Sequence, residues 1–91
     1  MFKTRFLSAK TVSDEGFSIT LKSRTKLLYE VEGKSMIITT EGAGRYIDIF
    51  HSSMQHWLND PSVIDDETDA QNVDNITRAL ESRGLNVRIV T

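Results

Sequence analysis

His51 and His56 are the chain's only imidazoles, and with Asp60 they come nearest to a metal-ligand set. Their five-residue spacing suits one face of neither a helix nor a strand. A zinc site also needs tighter geometry and a fourth ligand or water, so no metal is expected. Ser52 and Ser53 adjoin His51, the pairing a nucleophile needs with its base. Adjacent residues on a strand point to opposite faces, however, so His51 and Ser52 do not naturally meet. Asp65, Asp66 and Glu67 are paired carboxylates of the kind used in acid–base work. No apolar run surrounds them to raise one pKa, and capping and solvation account for them better. The Gly42-Ala43-Gly44 turn leads into a strand, not from a strand into a helix as a phosphate loop does. The absence of Cys excludes disulfide and thiolate chemistry. The expectation is a non-enzymatic protein with no cofactor.

Binding remains, and the charge layout directs it. The net charge of −2 hides an asymmetry: residues 1–45 carry eight Lys/Arg and five Asp/Glu, residues 46–91 three and eight. The stretch from Asp60 to Asp74 holds six acids and no basic residue. Asp60, Asp65, Asp66 and Asp69, with Asp48 at the fringe, are the residues expected to meet a basic protein partner, where charge speeds encounter and selects the partner. A second candidate is a single-stranded nucleic-acid platform on the sheet face. It would use Lys22, Arg24 and Lys26 around the Ser23-Arg24-Thr25 turn, with Tyr29, Tyr46 and Phe50 nearby. The negative overall charge argues against it. The single Trp, Trp57, is read as core ahead of interface anchor.

These residues must be held by elements legible in the periodicity. Phe17-Ser18-Ile19-Thr20-Leu21-Lys22 alternates with period two, as a half-buried strand does. Residues 26–32 repeat the pattern, with Leu27, Tyr29 and Val31 on one face. The turn Glu32-Gly33-Lys34-Ser35 joins them to a strand over 35–40, making a hairpin. After a turn over 41–44, residues 45–51 form a fourth strand with Ile47 and Ile49 inward. A short helical turn over 52–58 and a loop over 59–64 follow. Asp65 or Asp66 caps a helix whose stripe is Ala70, Val73, Ile76, Ala79 and Leu80. Gly84 ends it, and residues 85–90 alternate again as a last strand. Residues 2–7 are left open as a further strand. The expected fold is α+β, β-β-β-β-α-β in order: an antiparallel sheet of about four to five strands with one long helix on one face.

Ninety-one residues make a single domain, 1–91, with an expected radius of gyration of about 12 Å. No run of about 18 apolar residues crosses a membrane, and the charge-broken start MFKTRFLSAK lacks a signal-peptide core, so a cytoplasmic protein is expected. The last strand and the N-terminal strand present edges at which a second copy would pair, so the oligomeric state is open.

One constellation resembles a known family. The segments are Ile47-Asp48-Ile49-Phe50-His51-Ser52-Ser53-Met54-Gln55-His56-Trp57, an Asp-Pro loop, Ile64-Asp65-Asp66-Glu67, Asp74-Asn75-Ile76-Thr77-Arg78-Ala79-Leu80 and Gly84-Leu85-Asn86-Val87. Together they resemble the immunity protein 74 family of small bacterial proteins predicted to neutralise secreted polymorphic toxins. Ser52, Ser53, Trp57, Pro61, Asn75 and Gly84 carry the likeness, which covers about residues 17–90. The family's loop tends to read Pro-Pro-His where this chain has Leu58-Asn59-Asp60-Pro61. The resemblance implies a toxin-binding inhibitor. A phage or prophage inhibitor of a host defence complex would share the same physics. Physically, the motif reads as mainly structural. Ser52 and Ser53 would cap the short turn, Trp57 would cover the sheet end, and the Asn75 amide would clamp the backbone of the adjacent loop.

Overall fold

The computed structural model describes residues 2–4 and 10–91. Strands β1 (Phe2–Thr4), β2 (Lys10–Ser13), β3 (Phe17–Leu21), β4 (Lys26–Val31), β5 (Lys34–Ala43) and β6 (Tyr46–Phe50) follow in turn. A 3-10 turn (His51–Met54) and a loop lead to α1 (Asp66–Ser82), and β7 (Asn86–Val90) comes last. Strand order in space is strand order in sequence. β1 is a three-residue fringe, and the six longer strands make a mixed sheet curled into a half-barrel with α1, the one α-helix among the described residues. The radius of gyration is 12.2 Å.

The α+β class stands, with two corrections. The sheet has more strands than four to five, because the N-terminal segment adds β1 and β2. β2 carries no apolar alternation: its inward residues are Thr11 and Ser13, and its only apolar residue, Val12, faces out. It is a strand because β3 offers it an edge. Of the open segment 2–7, residues 5–7 lie outside the described residues. The second correction is that the sheet is not wholly antiparallel. β6 and β7 pair in parallel, Ile47 opposite Val87 and Ile49 opposite Ile89. The 3-10 turn, loop and α1 between them carry the chain back to the starting end, as a parallel connection requires.

β5 causes the curl. Its residues 34–39 pair with β4, and Thr40 to Ala43 pair with β6. The predicted turn at 41–44 is therefore shorter, since residues 41–43 are still strand. The half of β5 that β6 leaves uncovered is occupied by the 3-10 turn and the segment after it. Thr39 N–H donates to Ser53 Oγ (2.8 Å), Leu58 N–H to Ser35 O (2.7 Å) and Ser35 N–H to Asn59 Oδ1 (2.9 Å). Backbone groups that would otherwise be left as a raw edge are paired.

The inward faces are Phe17 and Ile19, Leu27 and Tyr29, Met36 and Ile38, Ile47 and Ile49. They close on Met54, Trp57, Ile76, Ala79 and Leu80. Each fully buried Ile or Leu among them contributes about 1.5–3 kcal/mol. Asp65 caps α1, its carboxylate accepting from Thr68 N–H at 2.7 Å. Gly84 (φ +83) ends the helix, with Gly84 N–H bonded to Glu81 O and Leu85 N–H to Leu80 O. That is a Schellman close, which needs a left-handed residue after the last turn. The buried stripe differs from the expected one. Ala70 is exposed, Val73 is half-buried, and Asn72 and Asn75 are buried in their stead. Among the described residues no helix is long and apolar enough to cross a membrane.

Candidate functional site

The buried asparagines answer a polar group on the sheet. Tyr29 is fully buried on β4, its ring between Phe17 (6.1 Å) and Trp57 (6.3 Å, stacked). Its hydroxyl donates to Asn72 Oδ1 at 2.9 Å and accepts from Asn75 Nδ2 at 3.0 Å. Asn75 Oδ1 accepts in turn from Gln71 Nε2 (2.7 Å) and Arg78 (3.0 Å). Arg78 continues outward to Glu15 at 2.6 Å and Asp74 at 2.9 Å. Burial pushes the Tyr29 phenol above its ordinary range and nearby Glu32 adds to this, against the opposing pull of the Asn75 bond. The phenol stays protonated and can donate. One group in this knot is left over: Asn72 Nδ2 is buried and has no hydrogen-bond partner among the described residues. Asn75 is thus a clamp to side chains of the sheet and helix, not to the loop backbone as expected.

Beside the knot lies a cavity of about 310 Å³ between the β4–β5 turn, Trp57 and the first turns of α1. Glu32, Lys34, Glu67 and Asn72 line it with Tyr29 and Trp57. Lys34 Nζ stands 5.6 Å from the centroid of the Trp57 ring. Trp57 is 8% exposed, and so belongs to the core and to this cavity's wall.

The acidic residues expected to meet a partner divide by what holds them. Asp60 Oδ1 accepts from Ser62 N–H at 2.8 Å; the Ser62 bonds, and then the charge of Lys34, hold its carboxyl below the usual range. Asp65 is likewise lowered by its bonds from Thr68. Both carboxylates stay charged. Asp66 is exposed and makes no hydrogen bond or ion pair among the described residues. Asp69 is paired with His51 Nε2 at 2.7 Å. Asp48 lies elsewhere, on β6, gripped by Arg88 at 2.7 and 3.2 Å. It is a cross-strand ion pair, outside the helix-end group, because β7 places Arg88 directly opposite it.

Of the motif residues, Ser53 stitches the 3-10 turn to β5, donating to Phe50 O and accepting from Thr39 N–H. It does not cap the turn: the N-cap position is Phe50, with no side-chain bond. Ser52 and Pro61 are exposed. Lys22, Arg24 and Lys26 are exposed on the β3–β4 turn, which β5 anchors through Thr40 to Arg24 O and Thr25 O. Their expected aromatic companions are dispersed: Tyr29 is inside the core, Phe50 is half-buried, and Tyr46 is exposed with the Arg88 guanidinium 5.8 Å from its ring. Among the described residues no group of three His, Asp or Glu converges as a metal site.

Asn72, Glu32 and the Tyr29 hydroxyl escaped the sequence reading. Their one signal was the pair Asn72 and Asn75 at i, i+3, two poor helix formers on the face that should be apolar. The chain matches no family model, and no curated protein or solved structure shows significant similarity to it.

Proposed function

We propose that this protein is a non-enzymatic binding module that docks a basic protein through its acidic face, as an immunity-type inhibitor does with a toxin. The observation that carries the proposal is the run of acids that opens α1, the cap Asp65 followed by Asp66, Glu67 and Asp69, with Asp60 in the loop before it; hydrogen bonds hold the Asp60 and Asp65 carboxyls below the usual range. A surface of one sign raises the encounter rate with a basic target and does so most at low salt. The chemistry suits a nuclease or another protein with a cationic active-site surface.

The test pairs this chain with the product of the neighbouring reading frame. Co-expression is expected to relieve growth inhibition, and the association rate is expected to fall steeply as salt rises. Asp66→Lys with Asp65→Ser removes charge while leaving a side-chain cap for α1. It is expected to slow association about tenfold or more. Unchanged binding and neutralisation by that variant would sink the proposal. A gel shift with single-stranded DNA or RNA at micromolar protein would instead direct attention to Lys22, Arg24 and Lys26.

A further inference from the structure

The cavity beside Tyr29 brings Glu67 of the acidic helix start together with groups that docking a basic surface leaves unused, Glu32 and Asn72. Glu32 and Glu67 line it, and neither makes a hydrogen bond or ion pair among the described residues. Glu32 also sits where glutamate is disfavoured. It has φ +50 and is followed by Gly33 at φ +77, the doubly left-handed pair of a two-residue hairpin turn. Asn or Gly is the cheaper residue there, since a left-handed L-residue costs about 1–2 kcal/mol. The turn has no need of a carboxylate. On the helix side, Asn72 is 3% exposed and its Nδ2 has no partner among the described residues. An unpaired buried donor costs about 1–3 kcal/mol unless an acceptor reaches it. The aromatic wall already accommodates a cation, as the position of Lys34 over Trp57 shows.

Two unpaired carboxylates and an aromatic face call for a cation, and the orphaned amide calls for an acceptor. An ammonium next to a carbonyl meets both demands. We infer that this cavity binds an α-amino acyl group, its ammonium held by Glu32 and Glu67 against Trp57 in place of Lys34 Nζ, its carbonyl oxygen accepting from Asn72 Nδ2. At about 310 Å³ the space is at the small end of ligand cavities. That suits one amino-acid residue, either free or at the N-terminus of a peptide.

Trp57 is the only tryptophan and forms part of the cavity wall, so its emission reports on ligand binding there. The full chain is titrated with leucinamide, N-acetylleucinamide, leucine and Leu-Gly-Gly, the leucine side chain chosen to suit Val31 and Trp57 in the wall. Leucinamide is expected to give a saturable change. N-acetylation, which removes the ammonium, is expected to weaken it about tenfold or more, as loss of one charge-assisted hydrogen bond implies. Glu32→Gln with Glu67→Gln is expected to do the same with an unchanged circular dichroism spectrum. Asn72→Leu, checked for folding in the same way, should weaken leucinamide without restoring the acetylated probe. Tighter binding of leucine supports the proposal with a free amino acid as ligand, and tighter binding of Leu-Gly-Gly supports it with a peptide terminus. Absence of a saturable change at millimolar amine-bearing probe overturns it. So does binding that survives acetylation or the double Gln variant.

Discussion

Tyr29→Phe isolates the polar knot in one atom. The ring keeps its contacts with Phe17 and Trp57, and only the hydroxyl goes. That hydroxyl serves two buried partners, as donor to Asn72 Oδ1 and acceptor from Asn75 Nδ2. Its loss strands both, beside an Asn72 Nδ2 already unpaired. At about 1–3 kcal/mol for each stranded buried group, less the relief of burying one hydroxyl fewer, the expected destabilisation is about 2–4 kcal/mol. A chain of this size has about 5–13 kcal/mol in all, so the loss is a large fraction of it. Thermal unfolding followed by circular dichroism should shift down by about 10–25 °C, and urea titration should show the same change with an unaltered slope. The double variant Tyr29→Phe, Asn72→Leu then replaces both members of the Tyr29–Asn72 bond with apolar groups and leaves only Asn75 Nδ2 stranded. It should recover stability relative to Tyr29→Phe alone, because an amide that nothing satisfies has been removed. A Tyr29→Phe cost below about 0.5 kcal/mol, or a double variant less stable than the single one, would refute the role assigned to the knot.

Three further outcomes are expected. Asp65→Ala removes the α1 cap and should lower the thermal midpoint by about 5 °C, while Asp66→Ala next to it leaves the midpoint nearly unchanged; equal effects would contradict the capping geometry. Glu32→Asn should raise stability by about 0.5–1 kcal/mol in urea titration, since asparagine tolerates the left-handed backbone better, and a loss would show that Glu32 has a structural role. Asp60 and Asp65 have folded pKa values below their unfolded value of 3.8, so they stabilise the fold above that pH. That stability is lost as pH falls through the folded values, so the denaturation midpoint should drop below about pH 4, and less steeply in an Asp60→Asn, Asp65→Asn variant.

Legibility along the chain followed the hydrophobic signal. β3, β4 and β6 each carry aliphatic or aromatic residues at every second position, and the core residues Phe17, Ile19, Leu27, Tyr29, Ile47 and Ile49 are among those that the alternation names. The cap at Asp65 and the close at Gly84 rest on side-chain and backbone chemistry within a few residues, which a linear pattern carries. β2 was invisible because both its inward residues are polar. The division of β5 between two neighbours was invisible because its second half, Thr40-Glu41-Gly42-Ala43, has no apolar alternation and reads as a turn.

By itself, then, the sequence determined the α+β class, the hairpin at Glu32-Gly33, the helix limits and the acidic character of the second half. All of these depend on local propensity, period and charge. The tertiary structure alone decided that β7 lies parallel to β6, so that Asp48 meets Arg88 and is lost to the acidic face. It alone carried Tyr29 across 43 and 46 residues to Asn72 and Asn75, turning two poor helix formers into the centre of a buried network and leaving one amide unpaired beside a cavity. Hydrogen bonds between residues so far apart in the chain depend on how the sheet curls over the helix, and no local pattern encodes that.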